Sequence, residues 1–321
     1  MPVILNTWAL EVCKAWMAQT AKGKPPTGKW LETQAKTFNY RHPRPSLLGP
    51  PPIPIIGPWQ LRGGEKRPMS EQHKNFPEFY VTAAQPCPYL PGRHERKLFT
   101  HLNADKPLSL IDNLLRGGFR RSQNIAYVPY CEGCQKCVSV RVRVDEFEPG
   151  RTMRRINDRN MGLRARRIAP VPTSEQFSLF RRYIDSRHSD GGMADMSVLD
   201  YAMMVEDSVI ETFISEYRAR PLDETHLSFD ERPERWPLRG VTLCDKLSDG
   251  ISMVYSFYDP DFDADSLGTY MILDHIAFAR SLGLPYLYLG YWINGSRKMH
   301  YKTRFTPQEH LRPSGWVRVT D

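Results

Sequence analysis

No run of 18 or more apolar residues occurs in the sequence, which excludes a membrane-spanning helix. The apolar start, MPVILNTWALEVCKAWMAQTA, has no basic region ahead of it and is interrupted by Glu11 and Lys14, so it does not read as a secretory signal. Cysteine is scarce, with six in 321 residues, and three of those crowd between Cys131 and Cys137. That usage does not suit the disulfide framework of a small secreted protein and points to a reducing, cytoplasmic compartment. A second CxxC pair is missing, so none of the strong four-cysteine zinc patterns is present. Internal repeats are absent too, and the one biased tract is rich in proline.

What is present suffices for a folded core. Hydrophobic residues make up 40% of the chain, and the length allows one large domain or two smaller ones. The net charge of +8 favours a polyanionic partner, nucleic acid above all. Residues 1–68 hold eleven prolines, several in LLGPPPIPIIGP. Proline removes backbone donors and fixes φ, so this stretch is expected to be a linker or disordered arm, or to lie upstream of a true start at Met69. The expected organisation is this extension, a cysteine-containing N-terminal domain over 69–165, and a C-terminal domain over 166–321.

Beyond Phe79 the pattern is that of a mixed α/β protein. Lys97–Ala104 is a short strand candidate, Ser109–Arg116 a helix stopped by Gly117 and Gly118, and Ile125–Val128 and Val138–Val144 alternate as strands. Arg151–Arg167 holds seven arginines and reads as a basic helix or helix pair. Ser174–Ser186 carries Phe177, Phe180 and Ile184 at helical spacing. Thr212–Arg218, Val241–Lys246 and Met253–Tyr258 read as strands, with Asp223–Pro237 as a polar loop. Ser266–Leu282 reads as an amphipathic helix closed by Gly283, followed by a strand at Tyr286–Leu289 apolar at every position. The order β-β-β-α-β predicts an α/β or α+β sheet core.

Three constellations carry chemistry. Cys131, Cys134 and Cys137 lie on one tight loop, and Cys87 can supply a fourth thiolate from the preceding turn. Crowded thiolates repel unless a cation holds them, so an iron–sulfur cluster or zinc is a candidate, beside the alternative of reduced thiols that only pack. Arg120, Arg121, Arg141 and Arg143 surround that loop, and Arg151, Arg154 and Arg155 follow. With Phe119, Tyr127 and Tyr130 interleaved, they suit phosphates and the unpaired bases of an RNA end, unless they are a solvated basic face. The third constellation is a tyrosine-rich C-terminal block: YSFYDPD, SLGTY, YLYLGYWI and KMHYKTRF. Aromatics at strand ends often line a pocket, though they also pack cores. His275 within its helix reads as structural.

These blocks together resemble the N-end-rule aminoacyl-tRNA–protein transferases, specifically their bacterial leucyl branch, from about Cys87 to Phe305. The marks are GFRRS, the Y-x-P-x-C-x2-C-x2-C run, YSFYDPD, SLGTY and YLYLGYWI with KM-x-YK-x-RF. Two stretches depart from the pattern: Asn294–Arg297, and residues 1–68, which match none of it. The resemblance implies a C-terminal half like the N-acetyltransferase fold and transfer of leucine from leucyl-tRNA to proteins beginning with Asp or Glu, marking them for degradation.

Such a transfer needs no ATP and no cofactor, because the donor ester is already activated. The acceptor amine, with a pKa of about 7.7–8.0, is partly free base at neutral pH. Proximity and oxyanion stabilisation can therefore supply most of the rate. Tyr258, Asp259, Tyr270 and Tyr291 are the candidate donors or proton carriers. Arg120, Arg121 and Ser122, then Lys298, Tyr301, Lys302 and Arg304, are the candidates for binding the acidic acceptor, since a carboxylate calls for a cation. Arg141, Arg143, Arg151, Arg154 and Arg155 are the candidates for tRNA. Three alternatives stay open: an arginyl donor, an acyl-CoA N-acetyltransferase, and a metal-clipped RNA-binding module without activity. Against the second, Asp263–Tyr270 offers one glycine where a pyrophosphate cradle needs several.

Overall fold

The computed structural model describes residues 77–188, 192–220 and 235–319, without the side chains of 263–265. The proline-rich extension and most of the polar loop expected over Asp223–Pro237 lie outside the described residues.

Most of the chain is organised by one eight-stranded sheet. Its strands are β7 (Cys137–Arg143), β8 (Leu163–Ile168), β9 (Thr212–Ala219), β10 (Leu238–Leu247), β11 (Gly250–Tyr258), β12 (Tyr286–Ile293), β13 (Gln308–Arg312) and β14 (Gly315–Arg318). They lie in the order β14-β13-β7-β12-β11-β10-β9-β8. Only the pair β11–β12 is parallel, so the mixed α/β core expected from the sequence is what forms. Because β7 sits between β12 and β13, the sheet draws on both sides of residue 165. The two expected domains share this sheet.

A second sheet of four strands, β1 (Tyr80–Val81), β4 (Lys97–His101), β6 (Ile125–Pro129) and β5 (Arg120–Ser122), precedes the large one in the chain. Between these lie the short pair β2 (Gln85–Pro86) and β3 (His94–Glu95) and helix α1 (Leu108–Arg116). Ile111, Leu114 and Leu115 of α1 bury against Phe119 and Ala126, and this cluster meets Leu247 and Tyr288 of the large sheet.

Helices cover both faces of the large sheet, as mixed sheets require. On one face, α2 (Arg151–Arg159) and α5 (Leu267–Ser281) bury Met153, Ile156, Ile272 and Ile276 against Val140, Val142, Ile251 and Leu287. On the other, α3 (Ser174–Arg187) and α4 (Val198–Glu206) bury Phe180, Ile184 and Tyr201 against Ile214, Leu243 and Phe257. Thr173 closes a capping box with Gln176 at the start of α3, and Ser197 does the same with Asp200 for α4. The α5 helix ends where Gly283 takes φ +68.

One expectation is corrected. Arg151–Arg167 is not a helix pair but α2 followed by the edge strand β8. After Asn160 the spacing changes to alternation, and Leu163 and Ala165 pack toward Tyr217 while arginines occupy the intervening places.

The feature that matters for function is where β11 and β12 stop pairing. They are in register at Gly250↔Tyr286, Ile251↔Leu287 and Ser252↔Tyr288, and no further. Each then follows its outer neighbour, β11 pairing with β10 as far as Tyr258 and β12 with β7 as far as Ile293. The strands therefore diverge into a V. A register shift at Tyr288/Gly290 bends β12 at its opening. Gly290 has φ +74, and a Cβ there would lie 2.7 Å from Arg120 Cζ. We predict that Gly290→Ala lowers stability by at least about 1–2 kcal/mol, the backbone cost of a left-handed residue alone, read by chemical denaturation. In Arg120→Ala, which removes the clash, the same substitution should cost less.

Candidate active site

Divergence of two strands leaves backbone groups without ladder partners, and buried unpartnered carbonyls are costly. Two cations meet that demand. From β5, Arg120 reaches into the V, and its Nη2 donates to the carbonyl oxygens of Met253 (2.7 Å) and Val254 (2.9 Å) on β11. On the other arm, Lys302 Nζ donates to the carbonyl oxygen of Tyr291 on β12 (2.6 Å). Lys302 belongs to the 3-10 segment Arg297–Arg304 and is 5% exposed. Among the described residues neither cation forms an ion pair with a carboxylate. Arg120 Nη1 is buried without a hydrogen-bond partner.

Tyrosines line the opening. Tyr258, at the end of β11, packs its ring in a tilted contact 5.1 Å from Tyr183 of α3 and lies against Gly268 at the start of α5. Tyr301 is 42% exposed, yet burial raises its phenol above the usual value while the Arg120 charge lowers it. Arg187 lies over the Tyr258 ring at 5.9 Å. Lys298 and Arg187 both hold His188 below its ordinary pKa, after burial as the main cause. A basic rim of Arg187, His188 and Lys298 therefore surrounds an aromatic mouth, with two cations at its floor.

Desolvation first, and then the neighbouring Arg120 charge, bring Lys302 down from 10.5 to about 7. Tyr291 is anchored differently. Its hydroxyl donates to the carbonyl oxygens of Gly118 (2.9 Å) and Tyr127 (3.2 Å), and burial raises it well above 10. Its proton ties β12 to the small sheet.

Several sequence candidates stand elsewhere. Arg121 is buried and bidentate to Asp245, at 2.7 and 2.8 Å, so its fork has no face for a substrate. Arg141 is likewise interior: it pairs with Glu309 at 2.6 Å and stacks on Tyr286 and Trp316, out of reach of a phosphate backbone. Arg143 is engaged by Glu146 and Glu309. Asp259 is buried and held by Arg239 (2.8 Å) and Arg182 (3.3 Å). Tyr270 packs against Tyr217 over the β9 side of the sheet, away from the V. Ser122, Arg304, Arg151, Arg154 and Arg155 are exposed, the last three on α2. Tyr183, Arg187 and His188 were not singled out by the sequence. No spacing rule marks them, since their place depends on α3 lying across the mouth of the V.

Cys87, Cys131, Cys134 and Cys137 converge on adjoining turns. Burial raises the Cys137 thiol to about 12, helped by Cys131, Cys87 and Cys134 in that order. Gly133 turns the loop at φ +64. The donor chemistry suits zinc or an iron–sulfur cluster, but among the described residues no group of three or more His, Cys, Asp or Glu is arranged to hold a metal ion. No helix there is long and apolar enough to cross a membrane.

Two family models match: the arginine-tRNA-protein transferase N terminus over 85–155, and the C terminus over 175–312. A protein of Nitrobacter hamburgensis named aspartate/glutamate leucyltransferase is 59% identical over 251 residues, covering 78% of this chain and 95% of its own. The chain belongs to the arginine-tRNA-protein transferase family. A second relative of the same name, from Bradyrhizobium, is 58% identical over 79% of this chain and 96% of its own. Among solved structures, FemX overlays at a TM-score of 0.40 and 11% identity, covering 65% of this chain and 67% of its own, a shallow likeness. The family matches take in the V, the basic rim and all four clustered cysteines.

The buried lysine gives a test independent of activity. Its folded pKa lies below its unfolded value of 10.5, so the unfolded chain binds the extra proton between about pH 7 and 10.5. Stability contributed by this group rises with pH across that window, and its penalty is complete below about 7. Thermal melts from pH 6 to 10 should show a steeper rise for the parent chain than for Lys302→Met, with the difference flattening below pH 7.

Proposed function

We propose that the chain transfers leucine from leucyl-tRNA to the α-amine of proteins whose first residue is Asp or Glu, creating a degradation signal. What carries this reading is kinship across nearly the whole length of relatives named aspartate/glutamate leucyltransferase. The V gives it a physical basis. An aminoacyl ester placed between β11 and β12 would meet Arg120 Nη1, a buried donor with no hydrogen-bond partner among the described residues. Attack by the amine moves the carbonyl electrons onto oxygen, and a preorganised cation in a desolvated site stabilises that oxyanion. Lys298 and Arg187 at the rim are the cations best placed for the acceptor's carboxylate. The exposed arginines of α2 (Arg151, Arg154 and Arg155) form a basic surface for tRNA phosphates. A charged tRNA and a degradation substrate support the cytoplasm as its compartment.

The reaction itself needs no cofactor. We extend the proposal to the cysteine loop, where Cys87, Cys131, Cys134 and Cys137 supply a thiolate set that zinc or an iron–sulfur cluster would draw together. The gathering of three other thiols around Cys137 supports it. No step of the transfer passes through that group. Elemental analysis of anaerobically purified protein should find zinc or iron near stoichiometry; neither metal would overturn the extension alone.

The function is tested by supplying labelled leucyl- or arginyl-tRNA with peptides starting in Asp, Glu, Arg or Ala. Leucine should appear on the Asp and Glu peptides only. Arginine on those peptides would give the donor assignment to the arginyl alternative, and no transfer would leave an RNA-binding module. Lys298→Ala combined with Arg187→Ala should raise KM for Asp and Glu peptides about tenfold or more, the loss of roughly 1.4 kcal/mol or more of ion pairing, with leucyl-tRNA affinity unchanged.

A further inference from the structure

The transfer leaves one proton to be moved. When a neutral α-amine attacks the ester carbonyl, a C–N bond forms and the carbonyl π electrons pass to oxygen. The attacking nitrogen becomes cationic and must lose a proton. When the intermediate collapses, the C–O bond to ribose breaks, and that oxygen leaves with the electron pair and must gain a proton. A single group that takes the first proton and gives it to the second site balances the step.

Tyr291, Tyr183 and Tyr255 do not fit this task. Tyr291 spends its hydroxyl proton on two backbone carbonyls, and burial raises it well above 10. Burial also lifts Tyr183 and Tyr255 above their ordinary value, Tyr255 to about 12. Asp259 is buried between two arginines, and His275 lies inside α5, bonded to Ser215 and Tyr217.

Resting on the function just proposed, we infer that Lys302 is the proton carrier of the transfer: its neutral amine accepts the proton from the attacking nitrogen and passes it to the departing ribose oxygen. The geometry behind this is the V itself. Lys302 caps a carbonyl of the β12 arm and Arg120 two carbonyls of the β11 arm, and the gap between them is where the reacting carbonyl would lie. The groups facing Lys302 are the Arg120 guanidinium from β5, the Tyr291 carbonyl from β12 and the Tyr301 ring of its own segment, 5.8 Å away. Arg120 repels an ammonium, the Tyr291 carbonyl accepts a single hydrogen bond, and the Tyr301 ring offers only a weak cation–π attraction. With no carboxylate paired to it among the described residues, this buried lysine has little to hold its charge. Its pKa of about 7 lets it both take and release a proton at neutral pH. Lys302 starts and ends the cycle neutral, so the step balances without another reactant.

The test is single-turnover transfer to a Glu-starting peptide from pre-bound leucyl-tRNA, followed from pH 5.5 to 8.5. In the parent chain both the acceptor amine and Lys302 must be neutral. The logarithm of kcat/KM should therefore climb with a limiting slope of 2 at low pH. Lys302→Met should lose about 100-fold or more at pH 8 and keep a slope of only 1, the acceptor amine alone. Lys302→Arg, which can hold the Tyr291 carbonyl but cannot shed a proton near neutrality, should be as slow as Lys302→Met. Circular dichroism and leucyl-tRNA binding establish that the variants are folded. Lys302→Arg within threefold of the parent, or a slope of 2 persisting in Lys302→Met, would overturn the assignment. Failure of the parent chain to transfer leucine at any pH would instead remove the function on which it rests.

Discussion

Everything at the centre of this protein follows from three backbone carbonyls that the sheet cannot satisfy. β11 and β12 pair over three residues and then part, each held by its outer neighbour. The oxygens of Met253, Val254 and Tyr291 are left facing the gap, and Arg120 and Lys302 fill it. Satisfying a carbonyl with a cation solves the backbone problem and creates an electrostatic one. The buried Arg120 charge, with no carboxylate partner among the described residues, and a lysine that burial presses toward its neutral form, raise the energy of the empty site. A negative charge entering or forming there relieves it, which is what an oxyanion does during acyl transfer. The strain that the strands impose and the chemistry proposed are the same feature.

That arrangement also explains why the small sheet and the large one cannot act separately. Arg120 comes from the small sheet, while the carbonyls it satisfies belong to the large one. Tyr291 reaches back with its hydroxyl to Gly118 and Tyr127. Arg121 crosses the same boundary to Asp245, and Arg116 to Asp249. The adjacent arginines of GFRRS thus divide the work. Arg121 locks the two sheets together through a buried bidentate pair, and this fixes β5 so that Arg120 enters the V. The cysteine loop joins β6 to β7 beside these contacts and shapes the same junction.

Local signals in the sequence reported local structure well. Alternation in VSVRVR marked β7, Gly283 marked the end of α5, and the aromatic spacing of Phe177, Phe180 and Ile184 marked α3. The capping box at Ser197–Asp200 is a local helix start of the same kind. The V was not legible, because a three-residue parallel register between segments about 35 residues apart leaves no local trace. Within YLYLGYWI, Gly290 looks like any strand glycine until Arg120 is seen beneath it. Charge was the least reliable guide. On β7 the side chains of Arg141 and Arg143 alternate with buried valines, the pattern of a solvated face. Glu309, Tyr286 and Trp316 cover Arg141 instead, and all three come from distant parts of the chain. Lys302 was legible as a basic residue in a conspicuous block, but its burial depends on how the 3-10 segment folds against β12.

The central claim is that the V between β11 and β12 receives the leucyl ester. Hydrogen exchange with mass spectrometry, in the presence of a non-hydrolysable leucyl-adenosine amide, tests it directly. Protection should concentrate on Met253–Tyr258 and Leu289–Ile293, the arms beyond the last paired residues, with the Tyr301–Lys302 segment following. Saturable binding that leaves those arms unprotected and instead slows exchange at α3 and the start of β10, around Arg182 and Arg239, would place the ester elsewhere and contradict the account.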